Sequence, residues 1–373
     1  MKKLLLASAI SAAFAVPSAV IAQTAPTLDK VLEASGISLS GYIDAGYTYA
    51  NRNLETGFSD RVFDSQNNSF ALRQLGLTIA KQPKQGFGGL VNFTVGKDAQ
   101  GIHSFPESNP PPAGVVPAAS TSMFDVTQGY VQYAAGPLTV VAGKYTTMHG
   151  TEVIASTGNT NISRSILFGS VPFTHTGLRG TYAMSDTVSL IAGVNNGWDQ
   201  LTDANRAKTF ELGATLTPIK PLTIAASVMS GKEPVAAAVD GLRNSINVVA
   251  TYTIIDPLTV GLELLNVSQE NAGGGTSTAK YNGVAGYATY LITPKIRAAA
   301  RVEMFNDKNG LRFATAATKY AEVTLTGAYL ASDSFEIRGE VRTDRANQSV
   351  FVDFDGAASK NLVTFGVQTL FKF

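Results

Sequence analysis

Residues 361–373 read NLVTFGVQTLFKF and end the chain. Side chains of an extended strand alternate with period two, which puts Val363, Phe365, Val367, Phe371 and Phe373 on one side and Thr364, Gly366, Gln368 and Lys372 on the other. Both faces are thereby specified. A soluble sheet would turn its polar face to water and its apolar face to a core, yet no helix-rich partner for such a core appears among the 373 residues.

Moving upstream, the alternation recurs. In SFEIRGEVRTD (334–344), Phe335, Ile337, Gly339 and Val341 share one side, and Glu336, Arg338, Glu340 and Arg342 share the other. The same parity separates Phe210, Leu212, Ala214 and Leu216 from Glu211. It separates Ile296, Ala298, Ala300 and Val302 from Arg297, Arg301 and Glu303, and it groups Glu263 and Glu322 with the polar set. A basic residue facing lipid at mid-bilayer costs roughly 2–4 kcal/mol, so in a membrane wall the apolar sets face out and the charges face in. Charge confined to one parity is hard to reconcile with a packed core, because buried ions need partners, whereas a water-filled interior accepts it.

The connections follow a rhythm of their own. Gly136-Pro137-Leu138-Thr139-Val140, Lys220-Pro221-Leu222-Thr223-Ile224 and Asp256-Pro257-Leu258-Thr259-Val260 are near-copies, with proline where a strand begins and no ladder N–H is yet needed. Further tight turns fall at 82–86, 185–186, 293–294 and 332–333. Long polar segments lie between them, at 51–68, 98–122, 147–175, 197–207, 230–243, 268–280, 306–318 and 344–360. Short turns alternating with long loops predict an all-β, antiparallel up-and-down transmembrane barrel of about sixteen strands over 36–373, with short periplasmic turns and long extracellular loops. Fourteen or eighteen strands stay open, since 123–135 is weakly patterned. In the first strand Asp44 alternates with the apolar set and faces the lumen.

The chain starts MKKLLLASAISAAFAVPSAVIAQ, a basic pair, an apolar run and small residues that predict a secretory signal over 1–22. Its removal takes Lys2 and Lys3 and turns the formal charge from +1 to −1, which gives nucleic acid no basic surface. Residues 23–35 form a periplasmic lead-in, with a helical turn or two over Thr27–Ser35 or a disordered tail as the alternatives. Cysteine is absent, so disulfides and thiolate metal sites are excluded. No later run of about eighteen apolar residues offers a helical span. The expected location is a bacterial outer membrane, and the carboxyl-terminal Phe373 resembles the signal by which barrel-assembly machinery takes up the last strand.

Three stretches carry a family resemblance: GKYTTMHGTEVI from Gly143, SRSILFGSVPFTHTGLRGTY from Ser163 and VNNGWDQLTDANRAKTFELG from Val194. They resemble the OmpL-like β-barrel porins, most closely over about sixty residues. The resemblance implies an outer-membrane channel through which small hydrophilic solutes and ions diffuse passively, without fixing the solute; a channel selective for sugars or organic acids is the alternative, and association of three barrels stays open. Loop 147–175 is the candidate constriction. It holds Val153, Ile154, Ile166, Leu167, Phe168, Val171 and Phe173, which a solvated loop would not need, and folding inward would bury them. Glu152 and Arg164 would then pair or face each other. Arg179 follows the inward parity and joins the pore-lining set, whereas Lys144 and Arg73 fall on the lipid parity, so that each either lies near the outer interface or is turned inward by a bulge.

An outer-membrane enzyme or an adhesin is the rival reading. His103, His149 and His175 fall in loops without a serine placed to form a nucleophile and base, and no metal-ligand spacing or cofactor motif occurs. The stretches 353–356 and 306–310 have some calcium-loop residues without the required spacing, and are read as turns. Trp198 is expected at a strand end, at the membrane interface.

Overall fold

The computed structural model describes residues 28–54, 58, 60–64, 66–104, 122–236, 239–313 and 316–373. It has two units, 1–36 and 37–373. In the first, the expected helical turns form as α1, Leu28–Ser35; the expected signal at 1–22 lies outside the described residues.

The second unit starts with β1 (Ser38–Ala50), β2 (Ser69–Lys81), β3 (Gly86–Val95), the short helix α2 (Ala99–Ile102), β4 (Phe124–Ala135) and β5 (Leu138–Thr146). It continues through β6 (Thr174–Ser185), β7 (Val188–Asn195), β8 (Thr209–Ile219), β9 (Leu222–Ala236), β10 (Val239–Ile255) and β11 (Leu258–Gln269). Then come β12 (Ala279–Thr293), β13 (Ile296–Asp307), β14 (Thr318–Ser332) and β15 (Phe335–Ala346), a loop hairpin of β16 (Phe351–Val352) and β17 (Ala358–Ser359), and β18 (Asn361–Lys372). Leaving out that hairpin, sixteen strands pair antiparallel in chain order and close into a barrel through β1 and β18. The weakly patterned segment is a true strand, β4.

Closure rests on the last strand. Its register runs from Tyr42↔Lys372 to Ala50↔Thr364, and the Gly41 and Phe373 amides each donate to the other's carbonyl, at 2.8 and 2.9 Å. The Phe373 ring lies 2.4 Å from where a Cβ on residue 41 would sit, so a side chain there would push the terminal ring aside. Phe365, Val367, Phe371 and Phe373 are exposed on the outer face, while Thr364 and Gln368 are buried inside. Leu362 and Leu370 are also fully buried on the inner side, an early sign that part of the lumen is packed. The proline turns extend the ladder, with the carbonyls of Pro137, Pro221 and Pro257 accepting from Ala183, Thr253 and Leu291 at 2.8–2.9 Å.

Two expectations change, and the open case of Arg73 is settled. Segment 230–243 is not a long loop, because β9 and β10 stay paired from Tyr252↔Leu222 to Val239↔Ala236; inward Glu233 finds partners inside the barrel, so the strands run on. His175 belongs to β6, paired with Tyr145. Arg73 is turned inward by a bulge in β2, where the ladder to β1 skips it and consecutive Arg73 and Gln74 are both buried.

The outer wall gives a depth-dependent prediction. Val341 sits mid-strand and Ile337 nearer the short-turn rim, both outward. Val341→Arg should cost about 2–4 kcal/mol of folding free energy in lipid vesicles, and Ile337→Arg less. Equal losses, or none, would refute the outward assignment.

Candidate functional site

Loop 147–173 enters the barrel because its apolar residues find a core there. Ile166, Leu167 and Val171 join a cluster with Leu265, Val267, Tyr281, Phe305, Tyr320 and Leu362 from the wall, together with Leu54, Phe58 and Phe351 from other loops. Ile154 and Phe168 pack with Phe63 and Ile102, with Phe173 against their edge. Val153 departs from the expected burial, remaining 45% exposed.

Bringing an irregular backbone inside requires acceptors for its N–H groups, since an unpaired buried amide costs about as much as a lost hydrogen bond. Wall carboxylates supply them. Glu340 accepts from the Ile162 and Ser163 amides at 2.6 and 2.9 Å, and Glu303 from Ile166 and Leu167 at 2.8 and 2.7 Å. Glu263 accepts from Thr151 at 3.0 Å, and Asn247 from Gly150 at the same distance. Arginines hold the carbonyls, with Arg301 on Ser163 at 2.8 Å, Arg342 on Arg164 at 2.5 Å, and Arg338 on Ser156 and Asn161 at 3.4 Å.

These charges also form a chain along the wall. Arg297 and Arg338 flank Glu336, Arg301 bridges Glu152 (2.8 Å) and Glu322 (2.6 Å), and Arg342 meets Asp344 at 2.6 Å. Asp344 continues to Arg61 and Asp64 in the first long loop. Glu303 and Glu322 stand directly opposite across β13 and β14, a repulsive pairing that loop amides on one and two arginines on the other offset. Asp60, also in the first long loop, has no hydrogen-bond partner among the described residues, and burial followed by the Asp344 charge pushes its carboxyl up to about 8.

Glu152 and Arg164 do not pair with each other. Glu152 takes Arg301, while the Arg164 guanidinium is spent on the carbonyls of Val153, Ile154 and Ile162 and on the Phe63 and Phe168 rings. Arg179 forms a two-pronged pair with Glu211, at 2.8 and 2.9 Å, over the Tyr145 ring. Lys144 is also off the lipid face. The alternation breaks at Gly143, whose φ is +135°, and buried Lys144 reaches the Val126 carbonyl at 2.8 Å and Asp125 at 3.4 Å. Trp198 is buried in the lumen, not at the interface, because loop 196–208 also folds inward. Its amide meets Glu233, and Arg243 stacks on its ring at 4.9 Å.

His149 sits between the hydroxyls of Ser227 and Ser245, at 2.7 and 2.8 Å. Burial pushes its imidazole down to about 3, with the positive charges of His175 and Arg179 acting the same way. It is therefore neutral, one nitrogen donating and one accepting, and pins the loop to β9 and β10. The described calcium-like stretches are turns, with Asp307 accepting the Arg312 and Phe313 amides and Asp353 paired to Arg52.

The loop thus lies against β9–β15, reaches Gln74 on β2 through Ile154 and Ser156, and leaves space on the other side. A cavity of about 520 Å³ remains there. Its wall includes Ser40, Tyr42, Thr78, Asn92, Thr94, Thr127, Gln128, Thr146 and Lys372, and the loop contributes polar His149 and Glu152 beside apolar Val153, Ile154, Phe168 and Phe173. Of the sequence-derived charged candidates, Glu152 lines this cavity. Sequence reasoning passed over the hydroxyl and amide positions, although the inward parity of Thr78, Asn92 and Thr94 on β2 and β3 was there to be read.

Residues 36–373 match the family described as Putative beta-barrel porin-2, OmpL-like. No curated protein sequence matches. Among solved structures, the outer membrane channel DcaP of Acinetobacter baumannii superposes with a TM-score of 0.62 at 15% identity, covering 90% of this chain and 97% of that one. The anion-selective porin from Comamonas acidovorans gives 0.62 at 11%, covering 90% and 99%. A trimer form of OmpT from Vibrio cholerae gives 0.59 at 13%, with the same coverage.

Replacing both Glu303 and Glu340 by Ala leaves four loop amides without acceptors, at about 1–3 kcal/mol each while buried. The loop should detach, and tryptic cleavage after Arg164 should rise more than tenfold while the barrel keeps its heat-modifiable mobility. Unchanged cleavage would refute the tether.

Proposed function

The chain belongs to the OmpL-like β-barrel porin-2 family, and from that premise we propose that it is a passive, water-filled channel for small hydrophilic solutes and ions in a bacterial outer membrane. The observation that carries this reading is the loop fixed inside the barrel with a cavity of about 520 Å³ beside it. In this reading the cavity is the constriction. Glu263, Glu303, Glu322, Glu336, Glu340, Arg297, Arg301, Arg338 and Arg342 set its width by holding the loop, Glu211 and Arg179 brace the wall beside it, Arg164 stiffens the loop, and Glu152 supplies the charge at its edge. Selectivity between ions is then weak, because hydroxyls and amides dominate the polar lining on the open side and the two charges there, Lys372 and Glu152, are opposite in sign. The same lining favours neutral hydroxylated solutes such as sugars over organic acids as a second, more selective reading. Secretion through a cleaved signal at 1–22, delivery of the last strand to the assembly machinery, and a trimer belong to the same proposal.

Purified protein in a planar bilayer should show discrete conductance steps, and a size-graded sugar series should reveal a sharp cut-off. Silence in the bilayer would sink the channel. Glu152→Gln leaves Arg301 with less compensation and should move the reversal potential toward anions. The neutral His149 tether is fully present above the ordinary histidine value of 6.5 and is lost as pH falls toward about 3. Loop flicker should therefore increase from pH 7 to pH 4, and His149→Asn should remove that dependence; a flat wild-type record would exclude the imidazole as a tether.

A further inference from the structure

At the long-loop rim, the outer side of β12, β14 and β15 carries Lys280, Lys319 and Arg345, with Lys308 just past the end of β13 and Lys360 just before β18, all exposed. The ladder gathers them. Lys319 stands opposite Asn306, Arg345 opposite Ala321, and the Lys360 carbonyl accepts from Ala346 at 2.7 Å. Most arginines of the barrel are ion-paired or hydrogen-bonded, yet among the described residues no side-chain partner is seen for any of these five. No outward position at this end of those strands is acidic. The opposite flank differs, since Phe70, Phe124 and Val126 occupy the corresponding outward positions.

Beneath the cations the wall is hollow and apolar. A groove of about 760 Å³ has Lys319, Arg345 and Lys360 at its top with Val284, Met304 and Ala321 below. Further down the same strands a second groove, about 740 Å³, is floored by Ala298, Ala300, Gly327 and Gly339. Anionic headgroup above and hydrocarbon below is the chemistry of a phosphorylated lipid, and each basic residue near such a headgroup strengthens the attraction roughly fivefold. We propose that this flank holds a phosphorylated lipid of the leaflet at the long-loop rim, its phosphates on Lys319, Arg345 and Lys360 and its acyl chains in the grooves.

The test is binding of bis-phosphorylated lipid A to the full-length purified barrel in neutral detergent, followed by native mass spectrometry. Lys319→Gln/Arg345→Gln/Lys360→Gln should weaken retention about 100-fold, whereas Lys220→Gln/Lys232→Gln should not change it. Dephosphorylated lipid A should bind the wild-type barrel as poorly as lipid A binds the triple variant, an arm that decides even if the variant misfolds. Lys319→Arg/Lys360→Arg should retain binding. Equal retention with and without phosphates, or by the triple variant, overturns the proposal. Full displacement by millimolar inorganic phosphate would overturn it too, by making the site one for the free anion.

Discussion

A polypeptide segment that leaves the wall and crosses the inside of a barrel takes its amides out of the ladder, and each must find another acceptor. Glutamates on the wall meet that need. Glu303 and Glu340 each present two oxygens to two consecutive amides, a match that a hydroxyl or a single carbonyl could not make. Arginines take the carbonyls of the same loop, and the leftover charge of each sign is cancelled along the wall. The loop's position, the apolar cluster beneath it and the shape of the remaining space all depend on those bonds.

The consequence is a division of labour around the barrel. From β9 to β15 the inward charges are buried among apolar wall residues, and they bind protein. From β1 to β5 many are hydroxyl or amide, and they border open space. Burying so many ions is costly unless every partner is in place, which makes the arrangement all-or-none and the loop stiff. A charged wall facing water would instead have left the loop mobile and the lumen strongly polarised.

The outside obeys a different rule. Where the wall meets hydrocarbon, large apolar residues dominate, with aromatic pairs such as Tyr47–Phe70 and Phe87–Tyr133. The flank of β12–β15 and β18 sets a strip of small residues, Ala298, Ala300, Gly327 and Gly339, among its large apolar ones and carries a basic rim above.

Period-two alternation and the repeated proline turns determined a barrel of about sixteen strands and the inward parity of Glu211, Glu263, Arg301, Glu303 and Arg338, because each is a local property that the next strand merely repeats, while the exact strand number waited for the pairing. Bulges escaped this logic: Arg73 lies beyond one residue of slippage that alternation cannot register. So did the extent of β9 and β10, whose polar ends look like loop until Glu233 meets Thr209 and the Trp198 amide. Whether an inward charge faces water or a folded-in loop depends on contacts between residues more than a hundred positions apart, as with Arg301 and Glu152. The sequence by itself determined which side of the wall a charge takes wherever the alternation runs unbroken, and left Arg73 and Lys144, beside a bulge and a positive-φ glycine, to the fold. Only the tertiary structure decided what that charge meets there, since a backbone amide looks the same at every position until folding brings it to an acceptor.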